Sequence, residues 1–162
     1  MKIYAKLTGH VSLIGCALTY LPRSRHKKLE ELVSSIVSMY GNNGCCFDLS
    51  NKRIIYISEE IIPDEGIVQG TLYYRWFVYT ILHECAHAIL KHTAVSEDDP
   101  KFTLQERQAR RLALIWLNCS ERAKGLTETT DDEIQEMHEK VVEMRREIRK
   151  LIDTTLRPLA RP

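Results

Sequence analysis

Residues 70–92 read GTLYYRWFVYTILHECAHAILKH, and the organisation of the chain follows from that stretch. Leu72, Trp76, Phe77, Val78, Ile81, Leu82, Ala86, Ala88, Ile89 and Leu90 put apolar groups on almost every side of it. A helix that is apolar all round belongs in the middle of a domain, wrapped by other elements. Within it stands His83-Glu84-Cys85-Ala86-His87. Residues four apart share a helix face one turn from each other, so two imidazoles can meet one metal ion. Zinc accepts imidazole nitrogen at about 2.0–2.1 Å, and a catalytic zinc keeps three protein ligands and one open position for water. Zinc lowers the pKa of that water to about 7, after which a neighbouring carboxylate takes its proton and delivers it to a leaving amine. Glu84 borders that position and is the candidate general base, with His83 and His87 as metal ligands. The plainer alternative is a pair of core histidines beside an exposed glutamate. Burying these groups along so apolar a helix would be costly without a metal or hydrogen-bonding partners. With six histidines in 162 residues, chance supplies only about 0.02 such motifs.

A third ligand is expected on the next helix. Glu106 has Ala109 and Ala113 on its own face, and small residues there let two helices approach closely. Against this, Thr103-Leu104-Gln105-Glu106 also matches a capping box, in which the glutamate reaches back to the N-cap backbone. Asp99-Pro100 offers an earlier helix start, with Asp at the N-cap and Pro at the first helical position, which frees Glu106 and favours the ligand reading. The competing ligands are Glu97, Asp98, Asp99 and His92. A helix continuing through His92 would turn that ring away from the metal face. Cys85 points off the ligand face and reads as a small core residue.

Outward from this centre, Lys2–Leu7 alternate as a half-buried strand, and Val11–Tyr20 read as its partner. After Pro22, residues Lys27–Tyr40 place Leu29, Leu32, Val33, Ile36 and Val37 on one side of an amphipathic helix that Gly41-Asn42-Asn43-Gly44 ends. Cys45–Leu49 and Arg53–Ile57 read as a hairpin around Ser50-Asn51-Lys52, followed by a polar loop through Pro63, Asp64 and Gly66. Beyond an acidic loop (Ser96 to Asp99), the ligand helix runs to about Asn118 or further, with Gly125 as its stop. Thr130 to about Leu156 forms the last helix, opened by a second capping-box pattern at Thr130-Asp131-Asp132-Glu133. It carries Ile134, Met137, Val141, Met144, Ile148 and Leu151 at three-four spacing. That stripe docks on its own domain or pairs with another subunit or partner. The chain divides into a catalytic unit, residues 1–124, and a helical appendage, residues 125–162.

Composition narrows the function classes. With 44% hydrophobic and 28% charged residues the chain is globular, and a formal charge of +1 gives no general field for nucleic acid or anionic lipid. No helix-turn-helix is evident in the first 25 residues, so direct DNA binding is not expected. Cys16, Cys45, Cys46, Cys85 and Cys119 are odd in number and show no C-x-x-C spacing, which fits a reduced, cytoplasmic compartment. Leu13-Ile14-Gly15-Cys16 has the form of a lipoprotein cleavage box, but Lys6, Gly9 and His10 interrupt the apolar run it needs. No segment approaches the roughly 18 apolar residues of a membrane span.

On these residues the chain resembles the ImmA/IrrE family of zinc metallopeptidases, from about Lys27 to Leu117. Tyr79-Thr80 before the first histidine and His92 after the second are similar to the family pattern. Its later signature, Glu-x-Glu-Ala-Asn-x-Phe-Ala, corresponds to Glu106-Arg107-Gln108-Ala109-Arg110-Arg111-Leu112-Ala113. Here Gln108 replaces the second Glu, Arg110 the Asn and Leu112 the Phe, which leaves Glu106 as the matching carboxylate. The resemblance implies an α+β, zincin-like domain in which the metal helix and the ligand helix pack on a small sheet, with Zn2+ as cofactor. It also implies a protein or peptide substrate such as a transcriptional repressor. An extended substrate is expected to add alongside the strand near Arg53–Ile57. The rival reading is a catalytically silent, zinc-containing interaction module whose terminal helix supplies the contact.

Overall fold

The computed structural model describes residues 1–40, 44–49, 51–63, 70–93 and 97–156. Ser50, Asp64, Gly66, Ser96 and residues 41–43, which the sequence places in turns and loops, lie outside them. In chain order the elements are β1 (Lys2–Tyr4), α1 (Thr8–Leu18), α2 (Arg23–Leu32), β2 (Val33–Met39), β3 (Gly44–Leu49), β4 (Lys52–Ser58), α3 (Leu72–Leu90), α4 (Phe102–Ala123) and α5 (Asp131–Leu156). The fold is α+β, with five helices and one four-stranded mixed sheet among the described residues.

The sheet runs β1-β2-β4-β3. β1, β2 and β4 are parallel neighbours, and β3 folds back antiparallel on β4 in the expected hairpin, with Asp48 opposite Arg53 and Gly44 opposite Ile57. Two expectations fail. Val11–Tyr20 is not a strand: Ile14, Ala17 and Leu18 recur at helical spacing and are the buried residues of α1. A parallel β1–β2 pair also needs a long crossover, which α1 and α2 provide. The helix expected over Lys27–Tyr40 stops at Leu32, and Val33–Met39 is strand β2. Three serines and three stiff β-branched residues weaken the helix there, and pairing on both edges of β2 outweighs the three-four pattern.

Helix α3 packs against α1, α2, α4 and α5 and against the β3–β4 hairpin. Trp76, Phe77, Ile81, Leu82, Cys85 and Ile89 are almost wholly buried in it, as an all-round apolar helix requires. Ala109 and Ala113 of α4 are fully buried and let that helix lie close on α3. α5 opens with a reciprocal capping box: the Thr130 N–H donates to Glu133 Oε2 (2.8 Å), and the Glu133 N–H donates to Thr130 Oγ1 (3.2 Å). Its first half docks on the domain through Ile134 and Val141. Further along, the apolar stripe is exposed at Met144 (48%), Ile148 (48%) and Leu151 (64%).

Candidate metal centre

The turn-apart spacing of His83 and His87 brings their Nε2 atoms to 3.0 Å of each other. Glu106, projecting from α4, sets its two carboxylate oxygens 3.3 Å from His83 Nε2 and 3.1 Å from His87 Nε2. Four bonds of about 2.0–2.1 Å at tetrahedral angles put ligand atoms about 3.3 Å apart. The histidine nitrogens and the carboxylate approach at distances of that order, each ring meeting a different Glu106 oxygen, and together the three side chains could hold a metal ion. Glu106 is not a helix cap. Helix α4 starts at Phe102, so Glu106 lies within it, and Asp99 serves the start instead, its Oδ1 accepting from the Lys101 N–H at 2.8 Å. Glu97, Asp98 and Asp99 do not join the cluster.

The electrostatics are those of a site that gathers charge. Burial lowers the pKa of His83 and so favours its neutral, ligating form. Burial works to raise Glu106, but hydrogen bonding to His83 and His87 outweighs it and holds the carboxylate well below its usual range. Glu84 is 7% exposed, and burial, then the charge of Glu106, pushes it up to about 8. Its side chain lies against Gly44 of β3, where a Cβ would stand 3.0 Å from Glu84 Cγ. Only a glycine leaves that approach free. A cavity of about 180 Å³ opens on this centre, lined by Gly44, His83, Glu84, Glu106, Arg110 and, from α5, His138.

Comparison with family models, curated proteins and solved structures found no match to the chain. The chemistry of the site is accordingly argued from its own residues.

His92 departs from expectation. Helix α3 ends at Leu90, Lys91 takes the left-handed conformation (φ 57°, ψ 41°), and the His92 N–H donates back to His87 O at 3.1 Å. This reversal swings the ring under His87, so that the two Nδ1 atoms lie 3.0 Å apart. Arg53 is a second residue the motif reading passed over. It shares the inward face of β4 with Ile55 and Ile57 and is 8% exposed. Its guanidinium donates to His87 O (2.8 Å), His92 O (2.9 Å) and Asp48 Oδ1 (2.7 Å), and so ties the hairpin to the end of α3. The signal was in the sequence: alternation put a cation in a buried register. Arg53→Met, which keeps the bulk and deletes the donors, is expected to cost about 3 kcal/mol of stability. A urea midpoint within error of wild type would contradict this.

The expected substrate strand also needs correction. β4 carries Arg53–Ile57 but lies between β2 and β3, so its backbone is already paired on both sides. The sheet edge beside the centre is β3, whose Gly44 lines the cavity.

Proposed function

We propose that the chain is a zinc-dependent metallopeptidase of zincin-like architecture that hydrolyses a protein or peptide bond. The observation that carries the reading is the convergence of His83 Nε2, His87 Nε2 and the Glu106 carboxylate within reach of one ion, with Glu84 on the same cavity wall. Two imidazoles and one carboxylate are a donor set suited to zinc. Zinc bound there would polarise a carbonyl and acidify water.

The chain's own residues supply the rest. Glu84 is the proton carrier: a cation held beside it would offset the burial that raises it in the metal-free protein, so that its carboxylate takes a proton from the attacking water and returns it to the departing amine. Gly44 keeps the space beside that carboxylate open. The exposed edge of β3 can align an extended peptide by main-chain hydrogen bonds next to the cavity. Arg110, which lines the cavity, brings a positive charge that would favour negative charge developing on the substrate. A transcriptional repressor is the substrate class to try first, in keeping with the resemblance of the metal-helix motif.

The test is metal analysis together with proteolysis of an unfolded protein such as casein. Protein stripped by chelation should be inert, and about one equivalent of zinc should restore cleavage. Zinc binding without cleavage under any condition would favour the silent interaction module, for which the exposed Met144, Ile148 and Leu151 offer a contact face. Indifference to both chelation and refilling would sink the metal reading.

A further inference from the structure

We infer that Gln108 and His92 form a positioning relay that sets the tautomer of His87 and thereby how tightly the centre holds a divalent cation. The inference rests on the metal reading of His83, His87 and Glu106.

The geometry is a chain of three side chains. His87 Nδ1 lies 3.0 Å from His92 Nδ1, and His92 Nε2 lies 3.1 Å from Gln108 Oε1. With the Gln108 amide oxygen turned towards the ring, as it stands here, the oxygen only accepts and His92 carries its proton on Nε2. A neutral imidazole has one N–H. His92 Nδ1 is then an acceptor, and the proton between the two rings belongs to His87 Nδ1. With a cation in place of the hydrogen bond that His87 Nε2 makes to Glu106, this arrangement leaves Nε2 a bare lone pair, aimed at the point where His83 Nε2 and Glu106 also converge. Turning the Gln108 amide over would reverse every donor in the chain and put a proton on His87 Nε2, where a cation must sit. The orientation of one amide on α4 is thus transmitted through His92 to the ligating atom on α3.

Placing His92 carries a backbone cost. Lys91 sits in the left-handed region, which costs a non-glycine residue about 1 kcal/mol. The placement is then held from behind by Arg53 Nη2 on His92 O at 2.9 Å. His83 has no counterpart: its buried Nδ1 meets no hydrogen-bond partner among the described residues. Control of the ligand tautomer therefore acts on the His87 side.

The experiment measures the zinc dissociation constant by chelator competition for wild type, Gln108→Leu, His92→Phe and Gln108→Glu. It is joined to nitrogen-15 NMR of labelled histidines in the zinc-loaded proteins. Gln108 is exposed, so Gln108→Leu removes the acceptor with no change of charge and little risk to folding. Gln108→Leu and His92→Phe should weaken zinc binding about 10- to 100-fold, the usual effect of losing an outer partner of a ligating histidine. Gln108→Glu, an acceptor that cannot be turned over, should bind at least as tightly as wild type. The spectra should place the His87 proton on Nδ1 in wild type and Gln108→Glu, with faster exchange in Gln108→Leu. If wild type binds zinc and Gln108→Leu matches it within twofold, or if the proton sits on His92 Nδ1, the relay is wrong while the metal centre stands. Failure of wild type to bind zinc at all would remove both.

Discussion

Glu84→Gln is expected to lower peptide hydrolysis by about 10²- to 10⁴-fold while leaving one zinc bound per chain. The amide keeps the shape of the carboxylate in the narrow space beside Gly44 but cannot accept and return a proton. Because Glu84 is not one of the three converging ligands, metal content should not change. Equal turnover by the two proteins would remove the enzyme reading and leave the metal. The same substitution has a thermodynamic signature in metal-stripped protein. Burial, then the charge of Glu106, raises Glu84 from 4.5 to about 8 in the fold. The unfolded chain releases this proton at lower pH than the folded one. This group therefore costs nothing below about pH 4.5 and progressively destabilises the stripped protein as pH rises towards 8. Urea unfolding of stripped wild type should show that decline between pH 5 and 8, and Glu84→Gln should flatten it.

The second large effect is expected at Glu106. Glu106→Ala should weaken zinc binding by more than about 100-fold, since loss of an outer partner alone typically costs 10- to 100-fold. The substitution removes the two oxygens that lie 3.3 and 3.1 Å from the histidine nitrogens. Alanine is a good helix former, so α4 should persist and circular dichroism should be unchanged. A capping role predicts the opposite pattern, a frayed α4 with metal affinity intact. Chelator competition and helix content, measured on one preparation, separate the two.

The legible part of the site was its local part. His83, Glu84 and His87 stand on one helix, and 3.6-residue periodicity alone decides which of them converge. Glu106 was reachable because its flanking alanines announce a close helix pair, and the same alanines are wholly buried against α3. The β3–β4 hairpin and the capping box of α5 were likewise readable, since a turn or cap is settled by neighbours a few residues apart. Gly44 and His138 were not read as site residues, because their meaning depends on which distant element they face.

Strand β2 and His92 show where local pattern runs out. Leu29, Leu32, Val33, Ile36 and Val37 keep a helical spacing, yet the chain extends from Val33 onward because β1 and β4 offer it ladder hydrogen bonds on both sides. His92 would leave the metal face on a continuing helix, and only the left-handed turn at Lys91, held by Arg53 from β4, brings it back. The amino-acid order was enough to specify a buried helix bearing two imidazoles and a carboxylate, because those relations span a single turn. Long-range packing settled what the order left open: the strand assignment of Val33–Met39, the sheet edge beside the cavity, the approach of α5 and the hydrogen-bond chain behind His87. Each of these depends on free energy gained between segments far apart in the chain, which no local periodicity records.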